Sequence, residues 1–331
     1  MTIDRRRSLS MTALLALPLA ACTAASVAEP PYAPLAVRGS TATVEIAPVL
    51  LAARDHFPEG AEVRNGGIPN LFAAAPVEGL GDGSAADVAT HAETQALRYS
   101  VAHPDIRIIL TVTEGLYRIV ARRSAGIASI ADLKGKRIAA LATTSSGYFL
   151  ARMLATEGLG LEDVEVVRIS PIETIAGALA DRRVDAVAIW EPHADNALRA
   201  LGADAIELSG TGIYRERFNL NSTAAALADP ERRRRVVGFV RAVLTATAAI
   251  GRDPRPAQAL VAATGGFTAD EVARSWPHLT FPAALPGDLV DVLVEEEAWL
   301  AAQEGRPARG RGELAKLVDS SVLEEALAPP H

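Results

Sequence analysis

Residues 143–146 read Thr-Thr-Ser-Ser and lead into Gly147-Tyr148-Phe149-Leu150, the start of an apolar helical pattern. Four hydroxyls exceed what capping requires, because one Ser or Thr oxygen is enough to accept from an N2 or N3 amide. A helix N-terminus also carries unpaired N–H groups and a partial positive charge, so it can hold an anion. A polar loop with one working cap is the other reading. A second hydroxyl-rich turn, Ser40, Thr41 and Thr43, follows Gly39. Cys22 is the single cysteine, so neither an intrachain disulfide nor a Cys-based zinc site can form. His56, His103, His193, His278 and His331 have no metal-ligand spacing, and no metal is expected. Gly-x-Ser-x-Gly, His-Glu-x-x-His and P-loop patterns are absent. Gly79-x-Gly81-x-Gly83 lacks the dinucleotide spacing and precedes a strand, so it reads as a turn. Neither catalysis nor a cofactor is expected.

The elements that carry these residues must come from a chain of 331 residues with 49% apolar side chains, enough for about two domains. A formal charge of −7 argues against nucleic acid as a partner. The first residues stand apart. Arg5, Arg6 and Arg7 precede an apolar run from Met11 to Ala21, too short for a bilayer-spanning helix. A basic start, a short apolar run and small residues before a cut mark an export signal. Residues 1–21 are therefore expected to be a signal peptide, and residues 22–34, small and Pro-rich, a tether. Leu19-Ala20-Ala21-Cys22 is similar to the lipobox of bacterial lipoproteins, which implies that Cys22 is the lipidated mature N-terminus. A secretory signal with an incidental Cys is the alternative. Arg6-Arg7-Ser8-Leu9 resembles a twin-arginine export motif, with an ordinary secretory start as its rival. The expected location is periplasmic or cell-surface, with membrane contact through the anchor only.

From Leu35 onward short apolar runs alternate with helical patterns, which predicts an α/β fold. Strands are expected in "PLAVRG", "AEVRNGG", "AADVAT", "ADLKGKRIAAL", "VEVVRIS" and "VDAVAIWEP". "IRIILTVTEGLYRIVARR" reads as one long or broken strand. Helices are expected over "TATVEIAPVLLAARDHF", "TTSSGYFLARMLATEGL" and "PIETIAGALADRR". The two halves echo each other. Each has a hydroxyl-rich strand-to-helix turn and a buried strand ending at polar residues: Thr90 and His91 in the first, Trp190 and Glu191 in the second. Ligands of open α/β sheets sit outside the carboxyl ends of the strands, so two such mouths facing each other would form a cleft. The last third reads as helices and opens at Asp229-Pro230-Glu231, an N-cap followed by Pro. Arg232 to Arg235 lie on a helix whose apolar stripe runs through Val236, Phe239, Val240, Val243 and Leu244, and they read as solvated.

"SIADLKGKRIAAL", the hydroxyl-rich helix start, "VDAVAIWEPHADNAL" and "ELAKLVDSSVLEEAL" together resemble one family. It is the solute-binding proteins of bacterial ABC importers for nitrate, sulfonates and taurine, whose relatives bind pyrimidine precursors of thiamine. The resemblance runs over about residues 35–328 and departs at Pro76 and "VEGLGDGSAAD", where relatives usually run a helix. It implies a two-lobe, type II-like periplasmic-binding-protein fold with a hinge and a helical C-terminal part. Lobe 1 would be 35–119 plus 220–328, and lobe 2 would be 120–219.

The resemblance implies ligand contacts from Thr143, Thr144, Ser145 and Ser146, and from Ser40, Thr41 and Thr43 in the equivalent turn. Tyr148 could pack or hydrogen-bond, and Trp190 could stack on a ligand or cover the hinge. Glu191 could fix a backbone N–H; Thr90 and His91 follow the third strand, and His91 could pair with an anion or be structural. Glu114, if it faces the cleft, would repel an anion and favour a cationic or hydroxylated ligand. The implied function is a lipid-anchored monomer that captures a small organic or inorganic anion for an ABC permease and its ATPase. A neutral or cationic heterocycle of thiamine-pyrimidine type is the alternative ligand. A pyrimidine-synthase-like enzyme would carry a cysteine-rich motif that this chain lacks, and a sensor-associated binding protein is a third reading.

Overall fold

Eleven strands in two mixed sheets organise the computed structural model, which describes residues 2, 33–72, 77 and 80–329. The strands are β1 (Leu35–Gly39), β2 (Ala61–Asn65), β3 (Val88–Ala92), β4 (Ile106–Leu116), β5 (Arg118–Arg122), β6 (Arg137–Ala139), β7 (Glu165–Val167), β8 (Ala186–Ile189), β9 (Ala205–Ser209), β10 (Arg215–Thr223) and β11 (Leu279–Thr280). The first sheet has the order β11-β4-β10-β3-β1-β2 and the second β7-β6-β8-β5-β9. In the first, β2, β1 and β3 run parallel, and β10 lies antiparallel between β3 and β4. The second repeats the plan, with β7, β6 and β8 parallel and β5 antiparallel between β8 and β9. β1 therefore corresponds to β6 and β3 to β8. The chain changes sheet at Tyr117 and again between Ser209 and Arg215, a few residues before the expected lobe limits.

The helices are α1 (Ala47–Leu51), α2 (Glu93–Ser100), α3 (Ser145–Ala155), α4 (Ile175–Ala180), α5 (His193–Leu201), α6 (Ala224–Ala228), α7 (Pro230–Arg252), α8 (Arg255–Gly265), α9 (Ala269–Ser275), α10 (Leu289–Gln303), α11 (Arg311–Leu314) and α12 (Ser321–Leu327). They cover both faces of each sheet, which is why the parallel strands read as continuous apolar runs. Val37 and Ile46 pack with Val236, Phe239 and Val240 of α7 on one face of the first sheet. Leu97, Ile108, Leu289 and Leu293 fill the other. The second sheet packs Ile138 and Ala188 against Phe149 and Leu150 of α3, and Val187 against Ile175 and Leu179 of α4.

α7 starts as its sequence predicts: the Asp229 carboxylate accepts from the amides of Glu231 (3.0 Å) and Arg232 (2.9 Å). Arg233 and Arg234 of its basic run pair with Glu325 (2.9 Å) and Glu59 (2.6 Å) at the surface. The expected helix over residues 41–57 differs. Helical winding begins only at Ala47, with Pro48 in the first turn where a missing N–H costs nothing, and residues 41–46 form a turn. Glu45 thereby sits in a buried turn at the end of β1 and not on a helix face. No helix among the described residues is long and apolar enough to cross a membrane. Among them no group of three or more His, Cys, Asp or Glu side chains could hold a metal. Cys22, all but residue 2 of the export segment, most of the tether, Pro76 and Gly79 lie outside the described residues.

Candidate functional site

The four hydroxyls of the opening stretch divide their tasks. Thr144 is the N-cap of α3: its Oγ1 accepts from the Ser146 amide (3.3 Å) and donates to the Leu141 carbonyl (2.9 Å). Ser146 is fully buried, accepting from the Leu141 amide (3.0 Å) and donating to the Ala188 carbonyl (2.7 Å), which ties the turn to β8. Gly147 permits this fold-back, since a Cβ there would lie 2.2 Å from the Ala142 carbonyl oxygen. Ser145 Oγ lies 3.0 Å from the Tyr117 hydroxyl and 3.5 Å from Glu216 Oε1. Thr143 is exposed, and its carbonyl accepts from Gln95 Nε2 of α2 at 3.0 Å, a bond from one sheet's layer to the other's.

Beside this turn a cleft of about 610 Å³ opens between the two sheets, within the usual range for small-molecule sites. Segments at the carboxyl ends of β1, β3, β6, β7 and β8 border it, together with Glu216 and Phe218 of β10. Ala42, Leu141, Ile169, Trp190 and Phe218 supply apolar wall. Arg98, Arg168 and Glu173 are exposed at its rim, whereas Glu45 and Glu216 are 2% and 4% exposed and form its floor. Burial pushes the Glu45 carboxyl up to about 7. Burial and then the charge of Glu45 push Glu216 well above the usual carboxylate range. Oε2 of each has no hydrogen-bond partner among the described residues. Burial, with a smaller push from Arg98, lowers His91 to about 4, and burial lowers His193 to about 4. Both rings are therefore neutral at pH 7. His91 Nδ1 accepts from the Ile68 amide (3.3 Å), so His91 offers the cleft an N–H and not a positive charge.

Of the residues expected from sequence, Ser40, Thr43, His91, Thr143, Thr144, Ser145 and Trp190 line the cleft. Thr41, Thr90, Glu114, Ser146, Tyr148 and Glu191 are not among its lining residues. Glu114 requires a correction: on β4 it is ion-paired with Arg217 (2.6 Å) and accepts from Thr280 Oγ1 (3.2 Å), and it does not face the cleft. Tyr148 packs edge-on against Tyr214 (5.5 Å) and Trp299 (5.3 Å). Glu191 is buried in an ion pair with Arg118 and accepts from the Asp195 amide (3.1 Å). Thr90 is fully buried, and the Thr41 amide donates to Asn65 Oδ1 (3.4 Å). Glu45, Gln95, His193 and Glu216 were missed. Only the position of Glu45, two residues beyond a hydroxyl-rich turn, could have drawn attention to it.

Residues 74–257, more than half of the chain, match the family model of NMT1/THI5-like proteins. The chain belongs to the NMT1/THI5-like family. A relative named as a binding protein in Brucella abortus (strain 2308) is 39% identical over 75 residues, 23% of each chain. One named as an aliphatic sulfonates-binding protein in Escherichia coli (strain K12) is 29% identical over 165 residues, 48% of this chain and 49% of that one. The chain thus matches between about a quarter and a half of the length of these curated relatives. Among solved structures, the alkanesulfonate-binding protein SsuA from Xanthomonas axonopodis pv. citri, bound to MOPS, superposes with a TM-score of 0.64 at 24% identity, over 87% of this chain and 98% of that one. The desulfurization enzyme DszB superposes with a TM-score of 0.60 at 16% identity, over 88% and 99% of the two chains. This NMT1/THI5-like chain has the two-lobe α/β fold of periplasmic binding proteins, a fold that also carries an enzyme.

Proposed function

We propose that this chain is the solute-binding component of an ABC importer, without catalysis of its own, and that it captures a small molecule between its lobes for a permease. The cleft carries this reading: about 610 Å³ of space, walled from both sheets and lined by strand ends, is where an α/β fold takes a ligand. The lobes would divide as 35–119 plus 220–328 and 120–219, closing as a hinge, and the protein would act as a monomer. It would be exported and held at the membrane through a lipid on Cys22. Replacing Cys22 by Ser would then leave unprocessed precursor or release soluble protein, and a variant still acylated and membrane-bound would refute the anchor.

Two ligand classes compete. A small anion such as a sulfonate, taurine or nitrate is favoured by the names of relatives and by the α3 turn. A neutral or cationic heterocycle is favoured by one specific observation, the two carboxyl groups on the cleft floor. A thermal-shift screen of sulfonates, nitrate, pyrimidines and carboxylates tests the general reading. At a hundred times its dissociation constant a ligand stabilises by about 2.7 kcal/mol, and solution scattering should record compaction with the same compound. A chain whose melting no small solute raises would not be a solute-binding protein of this kind.

A further inference from the structure

The floor of the cleft holds two acids, and no cation among the described residues is ion-paired with either. Glu45 reaches it from the turn after β1 and Glu216 from β10, two elements far apart in sequence that the first sheet brings together. The charged groups that bear most on them are other carboxylates: Glu191 on Glu45, and Glu45 and Glu93 on Glu216. The hydroxyls beside them, Tyr117 and Ser145, are hydrogen-bonded to each other at 3.0 Å. Buried polar atoms in folded proteins almost always have partners, and exceptions call for a reason. Here Glu45 Oε2, Glu216 Oε2 and His193 Nε2, on side chains 2%, 4% and 3% exposed, have none among the described residues, and all three residues line the same cleft. Gly115 adds a steric observation. A Cβ on it would lie 3.1 Å from Glu216 Oε2, 3.4 Å from the Tyr117 ring and 3.6 Å from Glu45 Oε1, so the two carboxyl groups converge on the same stretch of β4 backbone.

We propose that the cleft floor binds the cationic nitrogen group of an organic solute, an ammonium or amidinium, between Glu45 and Glu216, with the solute's apolar body against Trp190 and Phe218. The proposal rests on the solute-binding reading above and names the class of solute. Charge-assisted N–H···O bonds would satisfy the two free carboxyl oxygens together, and a cation would relieve the mutual repulsion that burial makes costly. A sulfonate at the same place could bond only to the protonated carboxyls and would add a third negative group to the site whenever either ionised.

A matched series of one shape decides the sign: benzamidine, benzamide, benzoate and benzenesulfonate, together with phenethylamine, followed by thermal shift and titration calorimetry on the full exported chain. Benzamidine or phenethylamine should bind at least tenfold more tightly than their neutral and anionic counterparts. Glu45→Gln and Glu216→Gln should each weaken that binding at least tenfold, and both variants should melt no lower than the parent, since an amide of the same shape replaces a buried carboxyl whose ionisation burial disfavours. Preference for benzenesulfonate or benzoate would overturn the proposal while leaving a solute-binding protein. So would equal binding of benzamidine by parent and both variants. A chain that answers to no member of this series and to no compound of the broader screen would instead overturn the solute-binding reading itself.

Discussion

Glu45 and Glu216 carry a cost in the empty cleft that pH can reveal. A carboxyl whose folded pKa lies above its unfolded value gives stability that is present at low pH and lost as pH rises through the folded value. Glu45, raised to about 7, and Glu216 and Glu296, raised well beyond the usual range by burial, all act in this direction. His91 and His193 act oppositely below their unfolded value, but above about pH 7 they are neutral in both states. The ligand-free protein should therefore lose stability from pH 7 to about pH 8.5, by several degrees in Tm. Glu216→Gln should flatten that slope; an unchanged slope would mean that this carboxyl is already ionised in the folded protein. The hydroxyl turn separates by the same reasoning. Ser146→Ala removes two buried hydrogen bonds and leaves the Leu141 amide and Ala188 carbonyl without that partner, a loss of about 1–3 kcal/mol with little change in affinity. Thr144→Ala removes one cap, about 1 kcal/mol. Denaturant titration beside calorimetry would distinguish these structural roles from ligand contact, since a ligand-contacting hydroxyl loses affinity first.

α10 illustrates how an element hides its purpose. Its sequence reads as an amphipathic helix, yet the run Glu295-Glu296-Glu297 has its first member exposed and the next two fully buried. Burial alone would raise the Glu297 carboxyl, but hydrogen bonds from Arg309 and Arg306 hold it down at about 2. Arg309 also donates to the Leu97 carbonyl (3.0 Å) and Ser100 Oγ (2.9 Å), so Glu297 fastens the loop after α10 onto α2. Glu297→Ala should cost about 3–5 kcal/mol, the usual result of stripping one partner from a buried ion pair. A loss below about 1 kcal/mol in denaturant titration would show the loop to be held by other means. The parallel strands were legible because helices cover both their faces and leave unbroken apolar runs. β10 was not. In "RERFNLNST" most polar side chains are buried, and three reach distant partners: Asn219 Oδ1 accepts from Thr111 (2.7 Å), Asn221 Nδ2 donates to the Ala89 carbonyl (3.1 Å) and Ser222 Oγ to the Asp87 carbonyl (2.9 Å), while Asn219 Nδ2 and Asn221 Oδ1 have no partner among the described residues. No local pattern records such pairings. The same holds for the cleft floor, where an acid in an apparent helix and another in a polar strand look solvated until the sheet brings them together.

Across the whole molecule, several side-chain bonds among the described residues join the two layers besides Ser145 Oγ to Glu216 Oε1 (3.5 Å). Gln95 to the Thr143 carbonyl (3.0 Å) and Arg152 to Glu295 (2.8 Å) join α2 and α10 to α3 and its turn. Asn196 to Glu271 (2.9 Å) and Arg274 to Asp195 (2.8 Å) join α5 to α9. Arg152 and Glu295 are largely exposed, and such a pair is worth about 0–1 kcal/mol. Arg152→Ala should therefore shift the ligand-free chain toward a larger radius of gyration by at most about fivefold in population, with ligand restoring compaction. An unchanged scattering profile with and without ligand would argue against hinge closure. The place of β10 bears on how the chain is built. All strands of the second sheet lie between Arg118 and Ser209, whereas β10, which ends at Thr223, separates β3 from β4 in the middle of the first sheet. A nascent or translocating chain, emerging from its N-terminus, can thus complete its second sheet while the first still lacks its centre. The earlier-synthesised half must wait for the later one. Chains halted just past Ser209 should yield a protease-resistant core from the second sheet, with residues 35–116 digested.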